Sequence, residues 1–144
     1  PDFEPATGNL PPGEHLATWD EVVARFGHTE WRRGLLAGLR EALLALRVAG
    51  CERVYLDGSF TTAKQRPGDF DACWDTKGVD FDLLDPVLLT FDRRRATQKA
   101  KYGGELFLAD VGADPMGTLF REFFQTDRDG NSKGIVVIDL KDLK

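Results

Sequence analysis

Residues 56–71 read LDGSFTTAKQRPGDFD, and this stretch decides both the predicted fold and the predicted site. It leaves one strand, turns at Gly58-Ser59, crosses a polar loop and enters a second strand at two alternate aspartates, Asp69 and Asp71. Because side chains alternate along a strand, these two carboxylates project from the same face. Carboxylate oxygens are the ligands that Mg²⁺ prefers, so the stretch predicts a metal site on this face.

The turn and the loop between the two strands supply groups that bind a polyphosphate. Gly58 lets the backbone approach phosphate closely, and the N–H groups of the turn and the Ser59 hydroxyl are hydrogen-bond donors. Lys64 and Arg66 lie in the loop, where they are placed to neutralise phosphate charge. With metal ions stabilising the entering and leaving oxygens, a hydroxyl nucleophile attacks the α-phosphorus of a nucleoside triphosphate in line. The stretch therefore predicts a nucleotidyltransferase-type site.

Helices and strands alternate along the rest of the chain. Amphipathic periodicity and capping residues predict helical segments at 19–26, 30–49, 83–89, 92–102 and 116–124. Short runs of β-forming residues predict strands at 53–56, 70–74, 106–109 and 135–138. This alternation predicts a layered α/β domain.

The N-terminal residues differ in composition from the rest. Residues 1–18 are rich in proline and glycine and lack apolar periodicity, so we expect an extended arm on the surface. Together with the short helix that follows, this arm makes up residues 1–28, packed on a domain formed by residues 29–144. Thr18 and Glu21 have the spacing of a capping box at the start of that helix.

Composition and charge exclude several classes of protein. Apolar residues make up 42% of the 144 residues, and no run approaches the roughly 18 apolar residues of a membrane span. The net charge of −5 disfavours nucleic acid at long range, so such contact requires a local basic patch. Two cysteines, Cys51 and Cys73, are too few for a disulfide framework and are expected to be buried thiols. The first residues lack a secretory signal, so we expect a cytoplasmic protein with no membrane partner.

A basic cluster lies in the predicted helix at 92–102 and comprises Arg93, Arg94, Arg95, Lys99 and Lys101. Charged helix faces are usually solvated, so we expect these side chains to face water. Contact with a nucleotide phosphate or with nucleic acid is the alternative.

The order of these motifs resembles the signature of the DNA polymerase beta-like nucleotidyltransferase superfamily, especially its minimal bacterial members. More closely, residues 55–71, LPPG at 10–13, FFQTDRDG at 123–130 and KGI at 133–135 resemble a little-characterised group of bacterial nucleotidyltransferase-like proteins, and the likeness spans nearly the whole chain. The resemblance implies an α/β (α+β) fold with a mixed sheet of about four to five strands flanked by helices. It also implies Mg²⁺ or Mn²⁺, a nucleoside triphosphate donor such as ATP, and a third carboxylate on a later strand.

The resemblance also indicates where the third carboxylate lies. Members of the superfamily usually carry it near the start of a strand about thirty residues after the aspartate pair, and Glu105 matches that place. Asp110, at the far end of the same predicted strand, is the alternative. Glutamate departs from the usual aspartate, and its longer side chain must reach the same metals. The loop departs too, since Thr61 and Thr62 stand where many relatives carry an arginine, which leaves the phosphate role to Lys64 or Arg66.

The resemblance implies an enzyme that moves a nucleoside monophosphate from a triphosphate to a hydroxyl of RNA, protein or a small molecule and releases pyrophosphate. In that hypothesis Asp69, Asp71 and Glu105 hold the metals, while Gly58 and Ser59 bind the β- and γ-phosphates. Superfamily members also occur as one component of toxin–antitoxin pairs, so a catalytically silent partner of a cognate toxin or antitoxin is the first alternative. A structural domain with an incidental acidic edge is the second.

Overall fold

A computed structural model describes residues 3, 5, 8–57, 59–62, 67–91, 95–112, 117–126 and 130–143. The strands are β1 (Gly13–Ala17), β2 (Arg53–Asp57), β3 (Phe70–Trp74), β4 (Gly104–Leu108) and β5 (Gly134–Asp139). The α-helices are α1 (Trp19–Phe26), α2 (Glu30–Val48), α3 (Ala96–Tyr102) and α4 (Phe120–Phe123). The described residues also form short 3₁₀ helices at Ser59–Thr61, Pro86–Leu89 and Leu140–Asp142.

The five strands form one mixed sheet in the order β1-β5-β2-β3-β4. β2 is antiparallel to both β3 and β5, whereas β1 runs parallel to β5 and β4 runs parallel to β3. Parallel neighbours need a crossover connection, and α3 lies in the one between β3 and β4. The predicted fold class, a mixed sheet of four to five strands flanked by helices, is therefore confirmed.

The two faces of the sheet are covered unequally. On one face α2 buries Leu39, Leu43 and Leu46 completely against β-strand side chains, and each such leucine contributes roughly 1.5–3 kcal/mol. On the other face a smaller apolar cluster lies between the sheet and the segment around α4. Its buried members are Tyr55, Cys73, Ala109, Phe124, Ile135 and Val137. The second face therefore has room for polar side chains at the strand ends.

The first two helices begin where the sequence predicts. The Thr18 side chain accepts from the Glu21 N–H, and the Glu21 side chain accepts from the Thr18 N–H, so the predicted capping box is confirmed. Thr29 caps α2 through the Arg32 N–H. The predicted end of α2 is one residue too late, since α2 ends at Val48. Among the described residues, no helix is both long enough and apolar enough to cross a membrane.

The N-terminal arm contains a strand that the sequence analysis does not predict. β1 pairs along its whole length with β5 and forms one edge of the sheet, so the prediction of a surface arm is wrong for Gly13–Ala17. Its alternating exposure is that of an edge strand with one face packed. Because the segment carries no β-branched residue, its β-structure comes from pairing with a distant strand rather than from local propensity.

Several predicted boundaries shift in the second half of the chain. β4 starts at Gly104, two residues before the predicted strand, and α4 covers only part of the predicted helix at 116–124. α3 begins at Ala96, and residues 92–94 of the predicted helix lie outside the described residues. Arg95 has a left-handed backbone with φ of 63°, which ends any helical run from its N-terminal side.

The N-terminus of α2 holds both ends of the loop that leads to the aspartate pair. Arg32 is fully buried, and its guanidinium donates to the carbonyl oxygens of Phe60 at 2.6 Å and Thr62 at 2.9 Å. The Trp31 indole N–H donates to the carbonyl oxygen of Pro67 at the other end of the loop. Burial lowers the pKa of Arg32, which means that desolvation of its charge costs free energy. Part of the free energy of its hydrogen bonds offsets this cost.

We expect Arg32→Met to lower the free energy of unfolding by about 2–4 kcal/mol, because the buried Phe60 carbonyl and the partly buried Thr62 carbonyl lose a charged donor. Urea unfolding followed by circular dichroism measures this change. Arg33→Met is the matched control, since Arg33 is exposed and, within the described part of the chain, donates to the Gly27 carbonyl; it should cost about 1 kcal/mol or less. Equal losses in the two variants would contradict the role given to Arg32.

Two glycines four positions apart in α2 should respond oppositely to alanine. A Cβ at Gly38 would lie 1.9 Å from the carbonyl oxygen of Tyr102, whereas a Cβ at Gly34 meets nothing within 4 Å. We expect Gly38→Ala to cost about 2 kcal/mol, because α3 must move away. Gly34→Ala should add about 0.5–1 kcal/mol through helix propensity. Thermal melts of both variants test the close approach of α2 and α3.

Candidate functional site

Three predicted site carboxylates meet at one end of the sheet. Asp71 on β3 and Glu105 on β4 are direct partners in the parallel register, and Asp69 lies two residues before Asp71. One carboxylate oxygen from each residue lies within 4.8 Å of the other two. All three side chains are partly exposed. The fold therefore brings together the three residues that the sequence analysis selected, and we call them the carboxylate cluster.

Asp110, the alternative third carboxylate, lies elsewhere. Its Oδ2 accepts hydrogen bonds from the N–H and hydroxyl of Thr76, at 3.2 and 3.0 Å. Asp110 follows the end of β4, whereas Glu105 lies near its start, so the two acids are at opposite ends of this strand. The structure thus brings Glu105, and not Asp110, to the aspartate pair.

Asp57 is a fourth acidic residue at this end of the sheet, and sequence reasoning missed it. The antiparallel register of β2 and β3 makes Asp57 the direct partner of Asp71. The Lys133 ammonium lies 3.1 Å from Oδ1 of Asp57, and both side chains are largely buried. The sequence did contain a signal for Asp57. It is the last residue of its strand, directly before Gly58-Ser59, so an antiparallel partner strand places it next to the first residues of that strand.

Two residues of the basic cluster contact the carboxylate cluster. Nε of Arg95 lies 2.8 Å from Oε2 of Glu105, and Nζ of Lys99 lies 2.9 Å from Oε1 of the same side chain. Lys99 is also 3.8 Å from Asp69. Lys99 is exposed, as the sequence predicts, whereas Arg95 is only partly exposed, so the prediction of a solvated face is wrong for Arg95. Their four-residue spacing is the signal that the sequence offered, although Arg95 is the N-cap residue of α3 and Lys99 lies within the helix. Arg93 and Arg94 lie outside the described residues.

Crowding of negative charge changes the protonation of the cluster. Burial, reinforced by the charges of Asp69, Glu105 and Asp57, raises the pKa of Asp71 to about 7, and Lys133 partly opposes the rise. The hydrogen bond from Lys99 to Glu105 raises the pKa of the lysine, which therefore stays charged. At neutral pH the Asp71 carboxyl is thus divided between its protonated and ionised forms.

The predicted phosphate-binding residues fall largely outside the described part of the chain. Gly58, Lys64 and Arg66 are not described, and of Ser59 only the backbone is. That backbone opens the 3₁₀ helix at the end of β2, one residue beyond the undescribed Gly58. Their roles toward phosphate remain predictions.

The donor set of the cluster suits a hard divalent cation. All three groups are carboxylates, which is the oxygen-only chemistry of Mg²⁺ and Mn²⁺ sites and differs from the nitrogen and sulfur ligands typical of zinc. Cys73 follows on the same face of β3, but it is fully buried and burial raises the pKa of its thiol. Cys51 is also buried, as predicted, and burial raises the pKa of its thiol to about 12. Both thiols are therefore protonated at neutral pH and poorly nucleophilic.

The raised pKa of Asp71 predicts a pH-dependent stability. Between the ordinary carboxyl pKa of 3.8 and the raised pKa of about 7, the folded state binds more protons than the unfolded state, so stability falls as pH rises through this window. The amide side chain in Asp71→Asn does not ionise, so the stability of this variant does not fall for this reason as pH rises. In EDTA, the variant should melt above the unmodified protein at pH 8, by roughly 2–8 °C, with a difference that shrinks toward pH 4.

Asp82→Asn is the control for this experiment, because Asp82 is an exposed acid outside the carboxylate cluster. Its melting temperature should follow the unmodified protein at every pH. A melting difference for Asp71→Asn that stays constant from pH 4 to pH 8 would contradict the raised pKa.

Comparison with known proteins places the chain in a family without indicating an activity. No curated protein and no solved structure matches it. The model of one protein family, described as a family of unknown function, matches residues 1–139. Since this match covers nearly all of the sequence, the chain belongs to that family, DUF6932.

Proposed function

We propose that this protein is a metal-dependent nucleotidyltransferase, which moves a nucleoside monophosphate from a triphosphate to a hydroxyl of RNA, protein or a small molecule. The observation that carries the proposal is the convergence of Asp69, Asp71 and Glu105 beside the turn that begins at Ser59. A single acidic pair is common on protein surfaces. A third carboxylate in register on the neighbouring strand is what distinguishes a built site from an incidental one.

In this reaction the acceptor oxygen forms a bond to the α-phosphorus, the α–β anhydride bond breaks, and pyrophosphate leaves with its electron pair. The acceptor proton passes to a carboxylate of the cluster or to water. Asp69, Asp71 and Glu105 would hold Mg²⁺ or Mn²⁺. When bound, the metal neutralises phosphate charge and stabilises the entering and leaving oxygens.

The chain's own residues prepare the site in three ways. The buried ion pair of Asp57 and Lys133 sets a positive group behind the cluster and limits its net charge. Arg32 holds the start of the loop that carries the predicted phosphate-binding residues. A carboxyl group with a pKa of about 7, that of Asp71, exchanges protons readily at neutral pH. The reaction requires nucleoside triphosphates and Mg²⁺, so we place the protein in the cytoplasm.

One observation favours a second candidate function, a catalytically silent binding protein such as one component of a toxin–antitoxin pair. Arg95 and Lys99 occupy both oxygens of Glu105. If these contacts persist in the presence of divalent cations, the cluster is neutralised internally and serves only to stabilise the fold. Copurification of the product of an adjacent small gene would then support a binding role.

The proposed activity is tested by incubating the protein with each of the four ribonucleoside triphosphates, labelled at the α-phosphate, together with Mg²⁺ or Mn²⁺ and a cell extract. We expect transfer of label to one class of acceptor. Because two metal ligands are lost, Asp69→Asn/Asp71→Asn should reduce transfer by at least roughly 100-fold.

Asp82→Asn is again a control, since it removes one exposed carboxylate outside the cluster and should leave transfer unchanged. Melting temperatures of all variants establish that they fold. Equal labelling by the unmodified protein and the double variant would exclude the cluster as the catalytic site. Complete absence of labelling with every triphosphate would favour the silent binding protein.

A further inference from the structure

Arg95 and Lys99 stand out because they contact the same carboxylate that the proposed function assigns to a metal. Each takes one oxygen of Glu105, with distances of 2.8 and 2.9 Å, and Lys99 approaches Asp69 as well. A divalent cation bound by the three carboxylates competes for these same oxygens. The Glu105 carboxylate therefore cannot bind a metal ion and keep both contacts with the basic side chains at the same time.

The balance of charge decides what happens to the two cations when a metal binds. Among the described residues, four carboxylates, those of Asp57 and of the carboxylate cluster, lie beside three cations, those of Lys133, Arg95 and Lys99. A bound divalent cation adds two positive charges to this group, so it repels the nearby basic side chains and favours an anion.

Both side chains can leave Glu105 without leaving the site. The Arg95 guanidinium lies 4.9 Å from the centre of the Phe107 ring, on the same face of β4, and this contact does not depend on Glu105. The Lys99 side chain is 40% exposed. Without the Glu105 contact, the arginine would keep its ring contact and the lysine side chain would extend into solvent beside the cluster.

The backbone conformation of Arg95 indicates, independently of its side-chain contacts, that the surrounding structure holds this residue in place. Among the described residues it is the one non-glycine with a positive φ, 63°, a conformation that costs an L-residue about 1–2 kcal/mol. Such strain persists only where the surrounding structure holds it, and it is frequent at ligand-binding sites. The strain fixes the direction in which the Arg95 side chain leaves the chain, toward Glu105.

We infer that Arg95 and Lys99 are exchange cations: they hold the carboxylate cluster while no divalent cation is bound, and they bind the polyphosphate of the substrate once one is. This inference rests on the proposed function, which supplies the metal and the polyphosphate. It makes polyphosphate binding dependent on prior metal binding, because only the metal releases the two basic side chains from Glu105. Arg is suited to phosphate through its planar fork of donors, and Lys through its compact charge.

Binding measurements on the full chain test the inference without any assay of transfer. Titration calorimetry measures the affinity for Mn²⁺ alone, and then for inorganic tripolyphosphate in excess Mn²⁺, so that the unknown base plays no part. Arg95→Gln/Lys99→Gln should bind Mn²⁺ about tenfold more tightly, because the internal competitors are gone. The same variant should bind tripolyphosphate about tenfold or more weakly, because two charged donors are lost.

Opposite changes in the two affinities are the signature, since a purely structural role would weaken both. Lys99→Gln alone, a change at a largely exposed side chain, should show the same signs with smaller effects and keeps the test valid if the double variant unfolds. Lys101→Gln is the matched control, because this lysine of the same helix pairs with Asp85 away from the cluster. Both of its affinities should match those of the unmodified protein.

Two results would overturn the inference: an Mn²⁺ affinity that is unchanged or weaker in Arg95→Gln/Lys99→Gln, or a tripolyphosphate affinity that is unchanged. The proposed function is judged separately by label transfer. Opposite affinity changes without label transfer would support the exchange cations and contradict the nucleotidyltransferase activity. Label transfer without the affinity changes would support the activity and contradict the exchange cations.

Discussion

Repulsion among carboxylates at the ends of β2, β3 and β4 is the constraint on which the rest of this site depends. Strand register sets Asp57 and Glu105 on either side of Asp71, and Asp69 adds a further charge. Such a group is tolerated in a folded protein only if cations or protons neutralise it. Here Lys133 approaches from one side, Arg95 and Lys99 at the start of α3 approach from the other, and a carboxyl group retains a proton near neutral pH.

The sheet can carry these crowded carboxylates because its two faces are covered differently. α2 and its leucines fill one face, which fixes the twist and register of the strands without involving polar groups. The second face carries a small aromatic cluster around Phe107, Phe120 and Phe124. The acidic side chains lie on this face at the strand ends, beyond the aromatic cluster. Stability and chemistry thus rest on different sides of the same strands, so the polar groups can change partners while the main core stays intact.

The parts that sequence predicts are those controlled by local pattern. Asp69 and Asp71 follow from strand periodicity, and Thr18 and Thr29 follow from capping chemistry. Glu105 is implied by the family resemblance and not by any local pattern. β1 could not be predicted, because its pairing partner lies some 120 residues away and its own residues have little β-propensity. Nor could the partners of Lys99, since a charged helix face has the same pattern whether it meets water or carboxylates.

The position of β5 has a consequence for how the chain folds. This strand is the last of the described strands in sequence but lies second in the sheet, between β1 and β2, and joins the first strand to the rest. During synthesis β1 therefore leaves the ribosome long before β5, its only neighbour in the described sheet. Pairing over such sequence separation slows folding, since the loop must close before contacts compensate for it. The strand that is synthesised first is thus added to the sheet last.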